Sequence, residues 1–455
     1  MLTHAGWTAL AASMLIMLLS CSDGPDVCSS GQGPGSQRGK TSFKAGVSNP
    51  LTAVIDRQGD LWFGNVSKNP NTQLVRISMD AQSVEAIDAI DSGVTSPVSA
   101  VVDPEGRVWF GTTGGSSEII RISIDPNSRQ AELSRFATPV TNPAWPIVDQ
   151  NGSIWFGSFD ESTRLIVRIS GDLDATPTIT AFDTGSFNPV TAVMDLAGSL
   201  WFGNFVGDGS SAVVRVSGDL AGEPTFTLVD TGVSKPSFPI LDSSGQIWIG
   251  NDSDSTFLVR IGGNLQGTPN VDLFDTEIPN VRSGTVAPDD SIWFGNTSDS
   301  TLVVRLSGDL TSAPRLLKFD TRIPGPSFPV FDLNGDLWFG TSGASQRVAR
   351  LSGEADSPSI QTLSLGVEAP GFPILDNQGG IWFGNVAEDG SEIIVRLDSG
   401  SNASAQVDCK RQGWLPTTSD QRTLYEKIKH APYGIGRDRG PKASRALGNP
   451  NNEIL

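Results

Sequence analysis

Few side chains in this sequence are equipped for group-transfer chemistry, and those few lie near its ends. Of 455 residues only His4 and His430 are histidine, and only Cys21, Cys28 and Cys409 are cysteine. The long middle of the chain therefore holds no Ser–His–Asp set and no zinc spacing, and it carries no phosphate loop. Acidic loops such as Asp252-Ser253-Asp254 and Glu388-Asp389-Gly390 offer carboxylates to a calcium ion, without the full ligand spacing of a calcium motif. What the middle does offer is aromatic. Trp145, Phe238, Phe328 and Phe372 are each followed by Pro. Such rings can stack a sugar or another flat ligand, or they can simply fill an interior. One cation accompanies them: Arg282 stands just before Ser283, with Asp289 and Asp290 close by in sequence. An Arg so placed can clamp an anion or pair with a carboxylate.

A repeat positions these residues. The tripeptide Trp-Phe-Gly, once Trp-Ile-Gly, recurs with Trp at 62, 109, 155, 201, 248, 293, 338 and 382, at intervals of 44 to 47 residues. An apolar run such as Phe238-Pro239-Ile240-Leu241 precedes each Trp, followed by Asp242-x-x-Gly245. A polar loop comes next, then Leu258-Val259-Arg260-Ile261, then an apolar alternation ending in Asp-Thr-Gly or a relative. Four strand-length runs separated by turn residues make one propeller blade, at the period expected of one. The Asp accepts from backbone N–H groups of the first turn and the Gly completes it. In the sixth repeat Ala287-Pro288-Asp289-Asp290 replaces that turn. The fold expected is all-β: an eight-bladed β-propeller of four-stranded antiparallel blades, with an N-terminal lipoprotein signal and an irregular C-terminal tail. The Trp of each repeat is expected to pack between sheets, and the Arg of each repeat (76, 121, 168, 215, 260, 305, 350, 396) to stack on an aromatic face or pair with a blade Asp. Eightfold repetition points to architecture, because a catalytic site needs different residues in different places.

The Asp-x-x-Gly-x-apolar-Trp-Phe-Gly blades resemble those of streptogramin-lyase-like (virginiamycin B lyase-like) propellers and of regulator-type sensor propellers, over about Val47 to Asp408. The resemblance implies a propeller fold. For the lyases it also implies a metal-assisted active face with His and acidic residues, and both His of this chain lie outside the repeats. Two functions follow as expectations. One is a ligand- or protein-binding or scaffolding module without catalysis. The other is a metal-assisted lyase or lactonase using carboxylates and Asn, with a divalent cation as its cofactor.

Four residues before each turn Asp, or its Ala287 equivalent, the positions read Thr52, Ser99, Trp145, Thr191, Phe238, Ser283, Phe328 and Phe372. The four aromatics are therefore expected on one ring about the axis. They either line a channel mouth that takes a small ligand or envelope protein, or plug the channel.

The formal charge of −18 divides into +5 from Lys410 onward and −23 before it. An acidic body repels phosphate backbones, which excludes nucleic acid as a partner of the repeats. At the N-terminus, the apolar run Ala9 to Leu19 is too short for a stable membrane anchor and leads into Leu18-Leu19-Ser20-Cys21, which resembles a bacterial lipobox. That resemblance implies lipidation of Cys21 and a membrane partner in the cell envelope. If Cys21 is not lipidated, the chain is secreted. The divisions expected are 1–20 signal peptide, 21–42 Gly/Ser-rich tether, 43–409 propeller and 410–455 a basic, disordered tail. In an oxidising compartment Cys28 and Cys409, which flank the repeats, are expected to pair across the seam of the ring. The other reading is two free thiols. Thr41 to Gly46 resembles the end of a blade and is expected to supply the outer strand of the blade containing Trp382. The competing segment for that slot is Ala405 to Lys410.

Overall fold

The computed structural model describes residues 39–66, 72–79, 84–186, 188–205, 210–385 and 390–398. The three cysteines, both histidines and the segment from Ala405 to Lys410 lie outside the described residues.

Among the described residues thirty-two strands, numbered β1 to β32 in chain order, form eight four-stranded antiparallel sheets. In the first blade these are β2 (Pro50–Ile55), β3 (Leu61–Asn65), β4 (Gln73–Met79) and β5 (Val84–Asp91). Burial peaks at the second strand and is least at the rim. The Trp-Phe-Gly strand is buried at every residue, as a continuous apolar run requires when both its faces are covered. The outermost strands instead alternate between half-buried and exposed.

The last blade is completed from the other end of the chain. β30 (Pro370–Leu375), β31 (Gly380–Asn385) and β32 (Ile393–Asp398) take β1 (Lys40–Lys44) as their outer strand, with Phe43 opposite Ile394. Phe43 stacks on Trp382 at 5.2 Å between centroids. In other blades Phe136, Phe182, Phe274 and Phe319 make the same contact with Trp109, Trp155, Trp248 and Trp293. The N-terminal segment thus latches the ring as the sequence leads one to expect.

Each Trp packs between its own sheet and the next, as Trp155 does against Ala192, Leu200 and Phe202. Its indole N–H donates to the turn Asp six residues earlier in seven of the blades, at 2.7 Å for Trp62–Asp56 and 3.0 Å for Trp338–Asp332. The same Asp accepts from two turn amides, as Asp149 does from Asn151 and Ser153. Burial pushes the carboxyls of Asp56 and Asp149 above the ordinary Asp value, against the pull of the indole hydrogen bond. The repeated Arg sits opposite the Trp in the ladder and lies over its ring, at 5.3 Å for Arg76 and 5.7 Å for Arg396. In several blades it also reaches the following one: Arg76 donates to the Arg129 carbonyl and Arg168 to those of Leu220 and Gly222. This is an architectural staple.

The Gly of Trp-Phe-Gly has its own cause. A Cβ at Gly295 would sit 2.3 Å from the Pro326 carbonyl oxygen, and one at Gly384 would sit 2.4 Å from that of Pro50. The innermost strand of each blade runs backbone-on to the preceding blade at this point, and only a residue without a side chain lets it approach so closely. In the sixth blade Asp290 takes the left-handed conformation (φ 64°) that Gly holds in the other first turns, so the hairpin survives the substitution. No helix among the described residues is long and apolar enough to cross a membrane.

Candidate functional site at the propeller axis

The innermost strand of every blade is entered from a residue in the left-handed region, Asn49, Ser96, Asn142, Asn188, Lys235, Asn280, Gly325 and Ala369 in turn. Seven of these entries lead into a Pro, which cannot donate to the ladder and so suits a strand's first residue. Two residues further on, the pairing with the second strand slips in a bulge, for example between Ser327 and Val330. At that slip Trp145, Phe238, Phe328 and Phe372 all have φ between 51° and 57°, and Ser283 has φ 45°. For a bulky residue this is a strained backbone, costing about 1–3 kcal/mol each. The Pro that follows each ring supplies no N–H at the bulge.

The bulge brings the rings together. Trp145, Phe238, Phe328 and Phe372 belong to one apolar cluster with Leu51, Val98, Val190 and Phe205, residues of the innermost strands and of the loops that follow the second strands. A cluster shared by seven blades surrounds the axis, so the four aromatics occupy one ring as expected. They are nearly enclosed: Phe238 is 0 % exposed, Trp145 3 %, and Phe328 and Phe372 8 % each. Phe328 and Phe372 stack at 4.0 Å, while Trp145 meets Phe159 at 5.3 Å.

The hydroxyl positions between the aromatics have a role that sequence reasoning missed. The Trp145 amide donates to Ser99 Oγ (2.6 Å), the Phe238 amide to Thr191 Oγ1 (3.1 Å) and the Phe328 amide to Ser283 Oγ (3.1 Å). Each hydroxyl belongs to the preceding blade and satisfies an amide that the bulge releases from its ladder. The signal was present as an alternation of Ser/Thr with aromatic residues at one repeat position.

The sixth blade supplies no apolar side chain to the cluster. In that sector Arg282, wholly buried, lies over the rings of Phe205 (5.4 Å) and Phe238 (5.5 Å) and pairs with Asp252. The expectation of an ion pair is met, but with a partner other than its sequence neighbours. Asp289 pairs with Arg305 instead, because the loop of the preceding blade packs closer to Arg282 than its own hairpin turn does. Among the described residues no three His, Cys, Asp or Glu side chains gather as a metal ion would need.

Comparison with known proteins agrees with this architecture. Sqt1 from Chaetomium thermophilum, solved with the N-terminus of the ribosomal protein L10, is similar over 79% of this chain and 98% of its own, at 11% identity and a TM-score of 0.61. The periplasmic gluconolactonase PpgL from Pseudomonas aeruginosa covers 69% and is itself covered over 97%, at 13% identity and a TM-score of 0.52. Virginiamycin B lyase from Staphylococcus aureus covers 80% and 99%, at 16% identity and a TM-score of 0.49. The likeness is one of fold. No protein-family model matches the sequence, and no curated protein sequence matches it significantly.

Proposed function

We propose that this chain is an extracytoplasmic, lipid-anchored β-propeller that acts as a binding module, with the aromatic mouth at its axis as the ligand element. The observation that carries the reading is the strained convergence of four rings. Filling a void requires only volume, which ordinary β-strand geometry supplies with Leu or Ile. Holding Trp145, Phe238, Phe328 and Phe372 in left-handed backbone costs about 1–3 kcal/mol apiece, and strain of this kind gathers where side chains must be aimed. The lyase or lactonase reading needs a carboxylate or imidazole cluster, which the described residues do not supply.

The address rests on the lipobox-like Leu18-Leu19-Ser20-Cys21. The topology is compatible with a tether there. β1 leads from Lys40 toward the connector that enters β2, so Gly39 and Asp398 leave the ring at the face opposite the aromatic mouth. A chain held through Cys21 then presents the mouth away from the membrane.

The near-complete burial of the rings favours a second reading, in which they plug the axis of a rigid scaffold and ligands or partner proteins dock elsewhere. Unfolding and oligosaccharide titration of Phe328→Gly together separate the two. Gly relieves the left-handed strain under either reading, set against the ~3–5 kcal/mol of a buried Phe deletion. Under the plug reading the variant loses stability and no ligand binding depends on the ring, whereas under the mouth reading a variant that still melts cooperatively loses ligand binding. For the address, mass spectrometry of the mature N-terminus and fractionation of Cys21→Ser decide. A soluble wild-type chain with unmodified Cys21 overturns the anchor.

A further inference from the structure

The mouth is not uniformly apolar, and several polar atoms in and beside it have no partner. The indole N–H of Trp145 makes no hydrogen bond, although the residue is 3 % exposed and seven of the blade Trp indoles all reach an Asp. Ser237 and Ser327 are 0 % exposed, and their hydroxyls are likewise without partners. So are the hydroxyls of Thr113 and Thr297. These five share two repeat positions with the axial cluster or adjoin it. Ser237 and Ser327 are second residues of innermost strands, and Thr113 and Thr297 are first residues of the loops after second strands. The contact between Arg282 and Asp252 shows that these two positions meet across neighbouring blades. Ser327 and Thr297 stand in the equivalent places one blade further round.

A buried donor or acceptor left dry forfeits its hydration, which is why native interiors leave few of them. Several around one axis, beside aromatic faces, call for a ligand that brings its own hydrogen-bonding atoms. The kinds of atom present narrow its chemistry. Indole N–H only donates, while Ser and Thr hydroxyls donate or accept. The cation buried against the axial rings, Arg282, is already matched by Asp252, so no net charge there awaits an anion. A flat hydrocarbon ligand would cover the rings and leave the five groups as orphaned as before. Hydroxyl groups of a neutral ligand, by contrast, serve both the donor and the hydroxyls, while the C–H faces of a sugar ring lie against Phe and Trp.

We propose that the axial mouth binds a neutral saccharide, with its hydroxyls engaging Trp145 Nε1 and the hydroxyls of Ser327 and Thr297. This rests on the mouth reading and names its ligand class. The test uses the full chain titrated with maltohexaose, cellohexaose and chitohexaose, then with an anionic oligosaccharide (tetragalacturonate) and a planar aromatic acid (naphthalene-2-carboxylate). Calorimetry gives affinity. The 15N–1H indole resonance of Trp145, assigned by its absence in Trp145→Phe, gives location. The expected result is binding of a neutral oligosaccharide that shifts this resonance and weakens about threefold to tenfold in Trp145→Phe and in Ser327→Ala, the value of one neutral hydrogen bond. Thermal melting of both variants checks that they remain folded. Neutral binding that neither variant changes overturns the proposal by placing the site elsewhere. Binding of the anionic or planar probe alone overturns the saccharide while leaving the mouth as a site. No binding by any probe, with the Trp145 resonance unmoved, overturns both.

Discussion

Asp149→Ala isolates the network that the repeat spends its most invariant residues on. In the wild type the Asp149 carboxylate accepts from the Asn151 amide (2.8 Å), the Ser153 amide (3.0 Å) and the Trp155 indole (2.8 Å). Asn151 is exposed, so losing the acceptor of its amide costs about 0.5–1.5 kcal/mol, whereas Ser153 is buried and orphaning its amide costs about 1–3 kcal/mol. Trp155 is 0 % exposed, and orphaning its N–H costs about 1–3 kcal/mol. Against this, burial already penalises the charge on Asp149, so its removal returns part of the loss. The expected net destabilisation is about 2–3 kcal/mol in urea unfolding at pH 7. The pH dependence carries a sign. Because the folded pKa is raised above 3.8, chiefly by burial, the contribution of Asp149 is fullest below the unfolded value and shrinks as pH rises through the folded one. The gap between wild type and Asp149→Ala should therefore be wider at pH 4 than at pH 7. A gap under about 0.5 kcal/mol, or one that widens with rising pH, refutes the reasoning.

Three further outcomes are expected. Gly295→Ala should destabilise by about 3 kcal/mol or fail to fold, since its Cβ meets the Pro326 carbonyl at 2.3 Å, whereas Gly371→Ala, whose nearest atom is 3.7 Å away, should cost under about 1 kcal/mol in the same assay. Asp91, Asp230, Asp275 and Asp320 have carboxyls held below 3.8 mainly by Thr or Ser hydroxyls, so their stabilisation is present above that value and lost as pH falls through their folded values. Thermal melts should therefore show stability falling between pH 4 and pH 2. Lastly, the Asp398 amide donates to the Gly39 carbonyl, and Cys28 and Cys409 lie eleven residues outward from that pair on their respective sides. Thiol counting on the mature full chain should find this pair oxidised, a clamp worth roughly 6 kcal/mol at most by loop entropy, and two reactive thiols without reductant would remove it.

Most of the fold was legible because a blade is a local object. Trp, Asp and Gly recur at fixed offsets within about twenty residues, and the ladder that joins them is set by near neighbours. The latch was legible for the same reason, since Thr41 to Gly46 is written like the end of any other blade. What stayed hidden depends on contacts between blades, which lie one full repeat apart and leave no mark at short spacing. The Gly of Trp-Phe-Gly has no visible cause in the string; the cause is the next blade's backbone, found against it at Gly64, Gly111 and Gly250. The Asp–Trp bond escaped for a different reason. Six residues is within sight, but the side-chain geometry that closes it belongs to the hairpin and not to the string.

The candidate site follows the same division. That Trp145, Phe238, Phe328 and Phe372 converge could be argued from one shared repeat position, because a ring of equivalent positions must close on itself. The partner of Arg282 could not. Proximity in sequence favoured Asp289 and Asp290, seven and eight residues away, yet a hairpin carries those carboxylates to the far end of the strand. Asp252 is thirty residues away and begins the loop that the neighbouring sheet holds beside Arg282. In a propeller the useful distance between two side chains is therefore counted in strands and blades. A polar residue at the second position of an innermost strand should be matched against the first loop residue of the blade before it. That rule pairs Arg282 with Asp252, and it sets Ser327 beside Thr297, whose two hydroxyls are among those the structure leaves without partners.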